Sequence, residues 1–252
     1  MTPVIADMDF QKLSFSAPYS KQNKTKIDLK YNGDVPKFNL CRFRDQMLRC
    51  KWPLDQPNAE GDNSRRGQAI ALPDAGPGGA ENELVAVLRS FDAFIIDHAT
   101  ANSEAIFGKK LDRLAVEARY EYIVKENPKY PGPYIKTKVK TADGPVPTRI
   151  WKPTSSEDEE PEALDISVLE GSACEVAPIL SFPSLWFMGG KSKFGLVSQI
   201  EDLIASEGRK RNAMSAFPPT SAEAQQGGPS AYTPYKEAVP EDGPEESAAA
   251  EE

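Results

Sequence analysis

The chain has 252 residues, 39% of them hydrophobic, a formal net charge of −8 and a single histidine. That length allows one sizeable domain with insertions or two small ones, and the apolar share lies below the ~45–50% of an ordinary globular chain. Cys41, Cys50 and Cys174 form no close sequence pair, so with only His98 beside them a zinc site of cysteine and histidine is excluded.

No apolar run approaches the ~18 residues of a membrane span. The N-terminus shows no basic-then-apolar leader signal, and the odd cysteine count suits a reducing compartment. The expectation is a soluble intracellular protein. Its 22 prolines and 17 glycines point to many loops, around one core of roughly 160–190 residues.

The charge is unevenly spread. Residues 237–252 hold seven acids and no base, so −8 becomes −1 without them. Residues 155–162 hold five more acids and no base, which leaves +4 for the remainder. A mildly basic body thus carries its acid in two loose segments, a pattern of acidic tail beside basic surface. Acidic tails also serve solubility alone.

Residues 1–9 read as a flexible N-terminus. Over 10–29, Leu13, Phe15, Ala17, Ile27 and Leu29 alternate loosely, which fits one or two strands. Tyr31-Asn32-Gly33-Asp34 is a hairpin turn signal, with 35–43 as the partner strand. Residues 52–83 are rich in Pro, Gly, Asn and Asp and read as a long loop insertion, with a short strand at 69–72 as an option. Apolar residues over 81–99 recur at helical spacing, and 111–124 suggests a second helix or a helix followed by a strand.

Residues 134–140 read as a strand. Ile135 and Val139 fall on one face, and Lys136, Lys138 and Lys140 on the other beside Tyr134. Three like charges in a row need water or an anion before them; a lysine-protected edge strand is the plain alternative. Residues 148–152 continue the theme with Arg149, Trp151 and Lys152. The acidic segment, about 154–163, reads as a second loop insertion.

Residues 177–188, the turn Gly189-Gly190-Lys191-Ser192-Lys193 and residues 194–200 read as strand, turn, strand. The glycine pair supplies the positive φ angles of a tight hairpin. Aromatics beside lysines suit a single-stranded nucleic-acid groove; a core hairpin with a lysine-capped turn is the plainer reading. After Ile204 order fades, and 209–252 has the composition of a disordered acidic tail.

No phosphate-binding loop, serine-elbow, zinc-helix or dinucleotide-glycine motif occurs. His98 near the end of an apolar helix reads as packed or capping. A carboxylate metal site stays open, but most acids lie in loose segments. No catalysis, cofactor or metal is expected.

Three stretches carry a family resemblance. They are Ile106-Phe107-Gly108-Lys109-Lys110 after a helix, the proline-then-lysine strand from Tyr130-Pro131 to Val139, and Ser184-Leu185-Trp186-Phe187 followed by a turn and Lys193-Phe194-Gly195. In this order they resemble the single-stranded DNA-binding proteins of nucleocytoplasmic large DNA viruses, themselves similar to those of short-tailed coliphages. The resemblance spans about 10–204. It implies a mainly β fold with helices, an OB-type Greek-key barrel over 10–208. It also implies sequence-tolerant binding of single-stranded DNA in viral replication, recombination and repair, without catalysis.

In the phage relatives an acidic tail contacts replication proteins and competes with DNA. Glu241, Asp242, Glu245, Glu246, Glu251 and Glu252 match that tail in charge, but those relatives end on an aromatic and this chain does not. The resemblance implies single-stranded DNA and viral replication proteins as partners, with a homo-oligomer left open. It places the protein in the host cytoplasm, with nucleus and virion as further options.

Within that reading Lys136, Lys138, Lys140, Arg149, Lys152, Lys191 and Lys193 neutralise phosphates, while Tyr134, Trp151, Trp186 and Phe194 are candidate stacking platforms. Trp186 and Phe187 point to opposite faces, so at most one of them stacks, and Trp186 is favoured. The alternative is a non-catalytic virion or scaffold protein that uses the barrel for protein contacts.

Overall fold

The computed structural model describes residues 2–21, 24–43, 46–57, 63–74, 81–154, 159–171 and 174–206. The expected acidic tail lies outside the described residues, as do Glu157 and Asp158 of the acidic insertion. In chain order the first strands are β1 (Leu13–Phe15), β2 (Tyr19–Lys21), β3 (Lys24–Tyr31), β4 (Lys37–Asn39), β5 (Leu48–Arg49) and β6 (Arg65–Ala71). Helices α1 (Glu83–Ala101), α2 (Ser103–Phe107) and α3 (Arg113–Glu117) follow. Then come β7 (Tyr120–Glu121), β8 (Val124–Asn127), β9 (Tyr130–Lys140) and β10 (Arg149–Trp151). The last four strands are β11 (Glu175–Ser181), β12 (Ser184–Met188), β13 (Lys193–Leu196) and β14 (Gln199–Ser206). The fold is mainly β with helices.

One long hairpin organises it. Gly189 and Gly190 take φ of 54° and 60° at its tip, as the turn demands. Near the tip β12 pairs with β13, and further down β11 pairs with β14. The hairpin bends where Phe182-Pro183 and Val197-Ser198 interrupt the strands. Val197 N–H still donates to Ser184 C=O across the bend, at 2.9 Å.

Each half seeds a sheet. The upper sheet runs β1-β3-β12-β13-β7, with β2 on β3. The lower runs β4-β11-β14-β9-β6, with β5 on β11, β8 on β9 and β10 on β14. Cys50, just past β5, then bridges Ile70 of β6, and the ring β5-β6-β9-β14-β11-β5 closes. Numbered along the chain, the ring strands run 1-2-3-5-4-1, with a parallel contact between the third and fifth. That is an OB-type Greek-key barrel.

Alternation fills it. Ile70, Ile135, Val139, Val176, Leu180, Ile200 and Leu203 are buried. Helix α1 buries Val85, Leu88, Phe91 and Ile95 on one stripe, and the Asn82 side chain caps its start by accepting from Leu84 N–H. Phe91 meets Phe182, at the hairpin bend, edge-on at 5.5 Å. In the upper sheet Phe187 and Phe194 stack 5.6 Å apart.

Several expectations need correction. Residues 2–9 are packed, since Ile5 is fully buried and Val4 bridges Asn39. The turn at Asn32-Gly33 forms with φ of 52° and 90°, yet the next strand, β4, pairs with β11 rather than returning along β3. The expected 52–83 insertion contains β6, a full barrel strand in register with β9 from Arg65↔Lys140 to Ala71↔Tyr134. Over 111–124 the helix-then-strand alternative is the one that forms, α3 followed by Tyr120 and Glu121 in the upper sheet.

Candidate nucleic-acid interface

Strand β9 presents Lys136, Lys138 and Lys140 on the outer side of the barrel, while Ile135, Thr137 and Val139 are buried. The three lysines do share a face, but their surroundings differ. Lys140 pairs with Glu201 at 2.6 Å, and Glu201 also accepts from the Ser181 hydroxyl. Burial opposes ionisation of Glu201, yet Lys140 and Ser181 hold its carboxyl below the ordinary value. Lys136 lies 3.4 Å from Asp55, both half-exposed. A Cβ on Gly67 would fall 2.1 Å from the Asp55 carboxylate, so the bare backbone of β6 makes room for that pair. Among the described residues Lys138 has no ion pair.

The upper sheet continues this outer side through the bend. Strand register aligns Trp186 with Lys26 of β3 on one side and with Gly195 of β13 on the other. A Cβ on Gly195 would lie 2.9 Å from Trp186 Cζ2, so the indole rests against the glycine backbone. One indole face is therefore backed by the sheet, and the side chain stays half-buried.

Alternation then places Lys24, Lys26, Asp28 and Lys30 of β3 on the same side. Tyr19 stands opposite Lys26, and Lys21 opposite Lys24. Like charges facing each other across strands repel unless an anion or water separates them. Asp28 is occupied by the Tyr19 hydroxyl at 2.8 Å. Lys193 and Met188 stand opposite each other beyond Trp186, and Met188 is 62% exposed. Among the described residues, Lys21, Lys24, Lys26, Lys30 and Lys193 form no ion pair. The β3 and β2 lysines were not among the predicted site residues. Their signal was in the sequence, as lysine alternating with Ile27 and Leu29.

A cleft of about 400 Å³ joins the two sheets. Trp186, Lys136, Lys138, Arg65, Lys125 and Tyr122 line it. Lys125 is paired with Glu121 on the cleft wall.

The other predicted residues lie elsewhere. Phe194 is fully buried between Phe187, Phe107 and Tyr120; it is core and not a stacking platform. Lys191 does not face solvent freely, because its Nζ donates to the Ile106 carbonyl near the end of α2. Tyr134 shares the lysine side, but Trp52 meets its ring edge-on at 4.9 Å and Lys51 Nζ sits 4.9 Å above it.

Arg149 and Trp151 line a separate cleft of about 650 Å³ with Arg42, Phe43, Ile179 and Ile204. There Arg149 is bound to Asp202 at 2.7 Å. Lys152 pairs with Glu162 of the acidic insertion at 2.9 Å. A bulge in the β11–β14 register sets the added carboxylate. It leaves Glu201 and Asp202 both on the outer side, one for Lys140 and one for Arg149.

Among the described residues no three His, Cys, Asp or Glu side chains stand close enough to hold a metal ion. No family model and no curated protein matches the chain. Its structure is similar to the single-stranded DNA-binding protein from bacteriophage Enc34 in complex with single-stranded DNA. The TM-score is 0.39 at 12% identity, over 77% of this chain and 96% of that one. The same phage protein alone gives a TM-score of 0.38 at 14% identity, over 80% and 97%. Its C-terminal truncation gives 0.38 at 14%, over 78% and 96%. A likeness at this TM-score is loose, and the side chains carry the functional reading.

Proposed function

We propose that the chain binds single-stranded DNA, without sequence preference and without catalysis, along the outer side of β3, β12 and β9. One observation carries this. Trp186 is held flat against Gly195, flanked by lysines that have no carboxylate partner among the described residues, Lys26 and Lys193 in the upper sheet and Lys138 in the barrel. An indole backed by the sheet offers its remaining surface to a base, and only an unpaired base has a free face to stack. Lys21, Lys24, Lys26, Lys30, Lys138, Lys193 and Arg65 are the phosphate contacts of this reading. Lys136 joins them by exchanging Asp55 for a phosphate, since an exposed ion pair of this kind holds weakly.

The viral kinship, and roles in replication, recombination and repair, follow from the sequence resemblance and belong to the same proposal. So does the tail. Its acids at Glu241, Asp242, Glu245, Glu246, Glu251 and Glu252 compete with DNA for the lysines, and deletion of 237–252 tightens binding at low salt.

The decisive measurement is tryptophan quenching during titration with oligo-dT at two salt concentrations. Binding should weaken with a slope of about 0.7 log units per phosphate contact for each log unit of salt. Absence of quenching, or an affinity indifferent to salt, overturns the reading. A scaffold role through protein contacts is favoured by a different observation. The cleft at Trp151 has its cations neutralised, and beside it Phe43 is 57% exposed.

A further inference from the structure

The barrel closes at a seam that carries two of the three cysteines. Strand β5 pairs with β11 through Leu48↔Val176 and Arg49↔Glu175. One step along the same register sets Cys50 opposite Cys174, and Cys50 N–H donates to Cys174 C=O at 2.8 Å. On its other side Cys50 bridges Ile70 of β6. Arg49 and Glu175 point outward and lie 3.7 Å apart. Alternation therefore turns both cysteine side chains inward together, where Cys50 is 8% and Cys174 1% exposed.

Opposed residues of an antiparallel pair have Cα atoms about 4.5 or 5.5 Å apart, and both spacings fall within the roughly 4.4–6.8 Å span of protein disulfides. Each thiol perturbs the other: the neighbouring Cys174 together with burial raises the pKa of Cys50, and the neighbouring Cys50 lowers that of Cys174. The Cys174 sulfur lies 3.3 Å from the Ser206 carbonyl. Cys41 stands apart, and burial pushes its thiol up to about 11.

We propose that Cys50 and Cys174 form a disulfide that locks the barrel seam when a small-molecule disulfide supplies the oxidant. The Cys174 thiolate attacks one sulfur of that oxidant, whose S–S bond breaks and releases one thiol. Cys50 then loses its proton and attacks the Cys174 sulfur, which expels the second thiol. Two protein S–H bonds and one oxidant S–S bond become one protein S–S bond and two thiols. Two electrons pass to the oxidant. Both sulfurs are buried, so reaction waits on local opening of the seam. Strand β5 is only two residues long and suits such opening.

The experiment uses the full chain, oxidised glutathione, alkylation of the remaining thiols and peptide mapping by mass spectrometry, with and without mild urea to open the seam. The expected result is a Cys50–Cys174 cross-linked peptide with Cys41 alkylated. Tm should rise by about 5–10 °C, and dithiothreitol should reverse it. C41S should keep the cross-link, and C50S or C174S should lose it. Three alkylated cysteines after oxidation in mild urea overturn the proposal, as does a link through Cys41 or to a second chain. The mapping on the unaltered chain decides the matter even where a cysteine variant folds poorly.

Discussion

Lys138 and Lys140 stand two residues apart on β9 and face the same side, yet among the described residues only Lys140 has a carboxylate partner, Glu201. The contrast extends across the molecule. Around Trp186 the outer lysines of β2 and β3 carry no carboxylate partners among the described residues. Around Trp151 every predicted cation is compensated, Arg149 by Asp202 and Lys152 by Glu162. A count of basic residues treats the two regions alike. A polyanion does not, because a cation already neutralised by a carboxylate adds little net charge with which to displace the counterions condensed on the strand. Aromatic and basic residues mark an interface only where the cations of that face are not already taken by acids.

The largest expected effect separates the two tryptophans. Trp186→Ala removes the platform, a loss of about 1–3 kcal/mol or roughly 5- to 150-fold in oligo-dT affinity. Trp151→Ala should change it by less than about twofold, since it lies beyond the proposed track. Equal losses in the two variants, measured by anisotropy with labelled oligo-dT, break the comparison.

The lysines give the next effect. Lys26→Gln and Lys138→Gln should each cut the salt slope by about 0.7 log units, and Lys152→Gln should leave it unchanged. Slopes from titrations at four salt concentrations decide this. A shallower slope for Lys152→Gln than for Lys138→Gln would move the binding track to the Trp151 side.

How much of this was legible beforehand depends on distance along the chain. The hairpin, helix α1 and the two faces of β9 are local patterns, and the structure repeats them. Only the end of β6 overlaps the optional strand at 69–72; its first half was hidden because its inward residues include Arg66 and Gln68 and its outward ones Gly67 and Ala69. Neither row shows the apolar alternation of a strand. The β3 lysines are legible as the alternate row to Ile27 and Leu29, but lysines on an outer strand face are equally the mark of a plain solvated surface. The Lys140–Glu201 pair spans 61 residues and depends on a β-bulge, so no local pattern foretold it. Phe194 misled for a simpler reason. An aromatic next to a lysine points the other way in a strand, and its own row faces the core.

Glu201→Gln sharpens the comparison from the opposite direction. It removes the charge that holds Lys140 while keeping a hydrogen-bonding side chain. Lys140 should then behave like Lys138, steepening the salt slope by up to about 0.7 log units and tightening binding at low salt. An unchanged slope in that variant means Lys140 lies off the track whatever its partner.

The smallest effect on binding is expected at Asp92, where the effect on stability is not small. This carboxylate of α1 is 1% exposed. It accepts from the Tyr120 hydroxyl at 2.7 Å and from Ile123 N–H at 3.0 Å, and so ties the helix to the strands behind the cleft. Burial pushes its pKa up to about 6 against the pull of those donors. An unfolded aspartate titrates near 3.9, so between about pH 4 and 6 the folded chain holds a proton that the unfolded chain has released. The stability contributed by this group is therefore full below pH ~4 and lost as pH rises through ~6, by about 2–3 kcal/mol. Urea midpoints across that range should fall with pH in the natural chain. Asp92→Asn should flatten the fall, though from a lower starting stability, because the amide cannot accept with both of its atoms. At pH 7 the variant should bind oligo-dT as the natural chain does, since Asp92 faces the core and not the lysine side. A variant that loses DNA while keeping its fold would mean that the strands behind the cleft set the position of Trp186, and the contrast between the two flanks would then rest on packing as well as charge.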